Sequence, residues 1–273
     1  MKKIFKYAML FAMVCSLTTA MTSCSSNDDD TPQTGQLSEG DKYLQKVLAA
    51  NVDNTINPTY KALADGCEKL NNELEALTPG SITQQQVDNV CKTFLEARAN
   101  YESSEAFLLG AASHFLIDPH IDSWPLGLNE LYNYLKADHK YKITDQSILG
   151  FHGIEFILFR DGKPRKAAEL NSHDSYTQAG IDFTIFSGTQ ELDYAKAVAE
   201  DLRNSVYRLE CSWDENANKE HVKVLDELET VYKTDKGFSY GYEMKNAGDP
   251  TKSTYNTVKL AVSSVLTGDN SAG

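Results

Sequence analysis

Seven apolar residues, Ile56, Tyr60, Leu63, Cys67, Leu70, Leu74 and Leu77, recur at alternating steps of four and three. That spacing puts all of them on one face of an α-helix, and so continuous a face has to be buried against other helices. Thr78-Pro79-Gly80 stops this helix, and Thr83 with Gln86 fits a capping box that opens the next. The second stripe runs Val87, Cys91, Phe94, Arg98, Tyr101 and Glu105, turning polar toward its end. Further helices are predicted over 124–136 and 144–159, the latter ended by Asp161-Gly162-Lys163-Pro164. A Ser187/Gln190 capping box then opens a helix striped by Leu192, Ala195, Ala199, Leu202, Val206, Leu209 and Trp213, and 221–232 and 253–266 follow. No run of alternating strands occurs, and 180–187 reads as a short strand or a packed loop. The expected fold class is all-α, with antiparallel helices in two bundles, 37–162 and 163–273.

The first residues have the layout of a secretory signal. Lys2, Lys3 and Lys6 precede an apolar stretch from Tyr7 to Leu17, too short to span a bilayer. Met21-Thr22-Ser23-Cys24 resembles a lipobox, so 1–23 is expected to be removed and Cys24 to carry lipid. Residues 24–36 hold an acidic run and almost nothing to bury, as a disordered tether would. These features predict an outer-membrane lipoprotein, facing the periplasm or the cell surface, that meets the membrane through its lipid anchor only.

Losing 1–23 removes three lysines and no acid, which takes the net charge from −13 to −16. So acidic a surface disfavours nucleic acid and attracts cations. Cys67, Cys91 and Cys211 are odd in number and sit on apolar helix faces, the pattern of buried thiols.

The most informative segment is 148–159, ILGFHGIEFILF, apolar or glycine on every side except at His152 and Glu155. A helix apolar all round is buried, and a buried carboxylate needs a cation or a donor. His and Glu three residues apart share a helix face and can offer an imidazole nitrogen and a carboxylate to one metal ion. The competing account is structural, with Arg98 neutralising Glu155 or the His-Glu pair satisfying itself. The stretch GAASHFLIDPHIDSWP adds His114, Asp118, His120, Asp122 and Trp124, dense in potential ligands but equally suited to an exposed loop. His139, His173 and His221 lie among polar residues and read as solvated.

Gly150-Phe151-His152-Gly153-Ile154-Glu155 resembles the GxHxxE signature of the imelysin family. Arg98, Tyr101 and Glu105-Ala106-Phe107, then Asp118 and Trp124-Pro125, are similar in order and spacing to that family's first block. Gly237-Phe238 through Tyr242 and Met244 resembles a later one. The resemblance implies two helical bundles with the signature residues gathered in a cleft, and further helices beyond Gly273, so either the sequence is a fragment or the second bundle is incomplete. It also implies a family named for an insulin-cleaving peptidase, with members tied to iron uptake and HxxE discussed as a metal-binding motif. On that basis His152, Glu155 and Glu105 are the expected ligands of a divalent or ferric ion, iron or zinc. Arg98, Tyr101 and Asp118 would orient them or line the cleft.

Three functions follow: a metal-binding lipoprotein of iron acquisition working with an outer-membrane uptake partner, a zinc metallopeptidase, or a non-catalytic binding or scaffold protein. The peptidase reading is the weaker one. No HExxH occurs, and Phe156 stands where the inverted motif HxxEH needs its second histidine.

Overall fold

In a computed structural model of the chain, residues 37–137 and 143–268 are described. The expected signal, the tether, Cys24 and His139 lie outside them. Ser38 opens α1 (Glu39–Asn51) by accepting from the Asp41 amide at 3.0 Å. The chain runs through a π turn (Val52–Ile56) into α2 (Asn57–Glu75). Pro58 has no N–H to give back to the preceding turn, and the hydrogen-bond ladder widens where that donor is missing. The buried stripe therefore begins earlier than the sequence indicated, at Leu48 and Val52. Both bonds of the Thr83/Gln86 capping box are made, and they open α3 (Gln84–Ser104).

Three short helices follow: α4 (Ala111–His114), α5 (Asp118–Ile121) and α6 (Leu128–Lys136). The apolar segment forms α7 (Gly150–Leu158), shorter than the predicted 144–159. Its end is not a glycine cap. Phe159–Arg160 (β1) pairs with Lys163–Pro164 (β2), and Asp161 and Gly162 make the turn between them with φ of 52° and 70°. After α8 (Ala167–Asn171), a second hairpin pairs Thr177–Gln178 (β3) with Ile181–Asp182 (β4). The Ser187/Gln190 box then opens α9 (Gly188–Trp213), and α10 (Lys219–Glu227), α11 (Tyr240–Lys245) and α12 (Val258–Thr267) complete the described chain. These residues are predominantly helical, as expected, with only two very small sheets.

α9 organises the packing. It runs along α2, crosses α7 and also touches α5, α8, α10 and α11. Tyr60 of α2 meets Trp213 of α9 at 6.3 Å between rings, and the Tyr194 hydroxyl donates to the Ile148 carbonyl at 2.5 Å. The boundary expected at 162/163 therefore falls inside one compact unit with a shared core, because α9 buries its stripe against helices from before that boundary. Cys67, Cys91 and Cys211 are buried free thiols, as expected. His221 is not solvated. It is fully buried, stacked on Tyr207 at 3.7 Å and paired with Glu210 at 2.5 Å. Among the described residues no helix is long and apolar enough to cross a membrane.

Candidate functional site

α7 is seated by its two glycines. Gly150 has φ of 78°, and a side chain there would collide with the Ile121 carbonyl. A side chain at Gly153 would collide with the Tyr194 hydroxyl of α9. The first glycine brings the end of α5 against the start of α7, which places Asp122 beside His152. His152 Nε2 lies 3.1 Å from Asp122 Oδ1, and Nδ1 lies 3.3 Å from Glu155 Oε2. Arg98 reaches the same Asp122 Oδ1 with Nη1 at 2.6 Å, while its Nε holds Glu102 at 2.5 Å. Its guanidinium lies over the rings of Tyr101 and Phe151, at 5.8 and 5.5 Å. Tyr101 donates a short hydrogen bond to Asp118.

The cluster is not sealed. The His152 side chain is 16% exposed, but that of Glu155 is 52% exposed and faces an open cleft of about 650 Å³. Trp124, 73% exposed, packs its ring on the imidazole at 4.6 Å and forms part of the cleft wall with Pro125, Leu95 and Tyr176. The competing structural account, a buried Glu155 paired with Arg98, does not describe this arrangement. Glu155 reaches into the cleft and takes its charge partner from its own helix, while Arg98 serves Asp122.

The hydrogen bonds to Asp122 and Glu155 raise the pKa of His152 to about 9, against the cost of burial. It is therefore an imidazolium at neutral pH, donating from both ring nitrogens. Burial alone would raise the Asp122 pKa, but the His152 hydrogen bond and the Arg98 charge outweigh it and hold the carboxyl below its ordinary range. The His152 bond does the same for Glu155. Burial and then the Asp118 bond push the Tyr101 hydroxyl far up, so it stays a donor.

Of the sequence-derived site residues, Arg98 and His152 are joined through Asp122, and Glu155 through His152. Tyr101 and Asp118 flank them. Glu105 does not join them. It is exposed in a one-turn 3-10 segment after α3, two turns beyond Arg98, and its charge acts on Tyr101 rather than on His152. Asp122 and Glu102 were not among the expected site residues. Glu102 stood in plain view four residues after Arg98, whereas Asp122 has no periodic relation to either helix and only the density of its loop pointed to it.

The arrangement does not preform a seat for a resident metal. Asp122 and Glu155 face opposite edges of the imidazole ring, so one ion cannot share a ring nitrogen and both carboxylates. Arg98 also occupies the Asp122 oxygen that such an ion would use. Among the described residues no three His, Cys, Asp or Glu side chains are grouped to hold one. Nor is there room for a second histidine at 156, where buried Phe156 packs on Phe183 and Tyr176 at 5.0 and 5.7 Å.

Iron-regulated protein A of Synechococcus elongatus is 27% identical over 119 residues, which cover 44% of this chain and 33% of that protein. A crystal structure described as an iron-regulated protein A precursor from Parabacteroides distasonis superposes with a TM-score of 0.63 at 24% identity, covering 84% of this chain and 56% of the other. The chain thus spans a third to just over half the length of these relatives. The imelysin family model, a peptidase M75 model, matches residues 56–265, from the end of the π turn before α2 into α12 and across every residue of the cluster. The chain belongs to the imelysin family.

Proposed function

We propose that this protein works in iron handling at the cell envelope as a binding protein, and that iron reaches the His152 cleft as cargo. The observation that carries this reading is an imidazolium bridging two carboxylates beside an exposed tryptophan at an open cleft. An ion that arrives with most of its own ligands needs little from the protein. One ring nitrogen and one carboxylate of the HxxE pair suffice once the proton between them is released. Trp124 and Tyr176 offer apolar faces to the rest of the complex, and the net charge of −13 favours an incoming cation. The names of the relatives, iron-regulated proteins, support iron over zinc. The amino-terminal pattern ending at Cys24 supports a lipid anchor and hence an outer-membrane location.

Two experiments test this. Anaerobic titration with ferrous ion, and separately with zinc, should show binding to the wild type that His152→Ala removes, and titrations flat for both ions overturn the reading. Labelled fatty acid should enter the wild type and not Cys24→Ala, and equal labelling of both removes the anchor.

A further inference from the structure

A second cleft, of about 590 Å³, lies where α9 passes α5 and the segment after α10. Arg208 stands in its wall. The guanidinium is half-buried and stacks on the Phe115 ring at 3.9 Å, and its Nε donates to the Val231 carbonyl at 2.7 Å. Among the described residues it has no carboxylate partner, which sets it apart from Arg98, Arg160, Arg165 and Arg203, each of which does. Burial holds its pKa below the ordinary arginine range, with the Tyr240 hydroxyl pulling the other way. A stacked guanidinium with one nitrogen anchored and its fork unclaimed is prearranged to take a carboxylate through two parallel hydrogen bonds.

The rest of the cleft limits what that carboxylate can belong to. Ile117, Ile143 and Leu228 supply apolar wall beyond Phe115. Asp201 lies on the same face of α9 as Arg208, seven residues earlier and so about 10 Å along the helix. His120 Nδ1 meets Asp201 at 2.9 Å and Gln146 Nε2 approaches His120 Nε2 at 3.2 Å, so the ring accepts from Gln146 while donating to Asp201. The cleft therefore has Arg208 at one end and Asp201 with Glu200 at the other, and between them Phe115, Ile117 and Leu228 give it an apolar wall beside Asn204 and Ser205 of α9.

We propose that this second cleft binds a small monocarboxylate with an apolar body, its carboxylate on Arg208 and its chain running along Phe115, Ile117 and Leu228 toward Asp201. Calorimetry on the full chain with octanoate, octanol and the eight-carbon dicarboxylate suberate tests it. Octanoate should bind at least about tenfold more tightly than octanol, which lacks the charge, and than suberate, whose second carboxylate would meet Asp201. Arg208→Gln should weaken octanoate by about tenfold or more, while Asp201→Asn should narrow the gap between suberate and octanoate. His152→Ala should leave octanoate binding unchanged. Octanol binding as tightly as octanoate, a folded Arg208→Gln protein with undiminished octanoate affinity, or no octanoate binding at millimolar concentration each overturns the proposal. If Arg208→Gln does not fold, the three-ligand comparison and Asp201→Asn decide it.

Discussion

α7 carries a charged cluster at each end, and the two clusters differ in one respect that separates their roles. At the carboxyl end Arg160 and Arg165 meet Glu191 and Asp174. Arg165 binds Glu191 at 2.9 Å and the Ile157 carbonyl at 3.1 Å, with its side chain fully enclosed and that of Glu191 2% exposed. Arg160 bridges Glu191 at 3.2 Å and Asp174 at 3.0 Å. Glu169 also approaches Arg165, at 3.8 Å, the Arg165–Glu191 pair is almost wholly enclosed, and the arginines cap the last carbonyls of α7 while tying it to the first turn of α9. The Arg98–Asp122–His152–Glu155 cluster uses the same kinds of groups, yet Glu155 and Trp124 open it to solvent. A sealed pair cannot exchange its partner without exposing a buried charge, whereas an open pair can trade a proton or a neighbour for a ligand. Position, and not composition, makes one cluster a fastening and the other a site.

The comparison is broken most severely at the sealed end. Arg165→Met takes one of two cations from enclosed Glu191, leaving Arg160 alone to balance it and Asp174, and should cost up to about 3–5 kcal/mol of stability in urea unfolding. A loss under about 1 kcal/mol would mean that the cluster is not a fastening. Between the clusters, Gly153→Ala forces a methyl group against Tyr194 and should cost about 1–3 kcal/mol by thermal melting. At the open end His152→Ala should cost less than about 1 kcal/mol, since solvent already screens the cluster. That small loss has a defined pH window. The His152 pKa is raised to about 9, so its stabilisation is complete below its unfolded value of about 6.5 and fades as pH rises through 9. Asp122 and Glu155 are held low, so their share is present above about pH 4 and lost in acid. The difference between wild type and His152→Ala should therefore peak near pH 5–6 and vanish above 9. Asp122→Asn should bring the His152 pKa down, as read by NMR titration of the ring, and no movement would remove Asp122 from the cluster.

The legibility of the chain follows the same division. The helices striped by Leu63, Leu70 and Leu74 or by Leu202, Val206 and Leu209 were readable because burial imposes a period on the sequence. Local capping boxes were readable because three residues contain them. The His152–Glu155 pair and Arg98 stood out as polar residues interrupting apolar faces. What could not be read was long-range: that Asp122 completes the cluster, that Arg165 is enclosed, that His221 is buried against Glu210 although its neighbours in sequence are polar. These depend on which helices meet, and α9 makes that choice by packing across the expected boundary at 162/163. Glu105 shares the helix face of Arg98 but lies two turns beyond it, exposed after Ser104, and a shared face does not say how far along the helix the partner helix reaches.

The central claim is that His152 is a doubly bridged imidazolium whose proton a cation must displace. Ferrous titration at pH 6.5, 7.5 and 8.5, in buffers of differing ionisation enthalpy, measures affinity and proton release together. The account predicts release of about one proton per ion and affinity rising about tenfold per pH unit, both lost in His152→Ala. Binding that is independent of pH and releases no proton would contradict it.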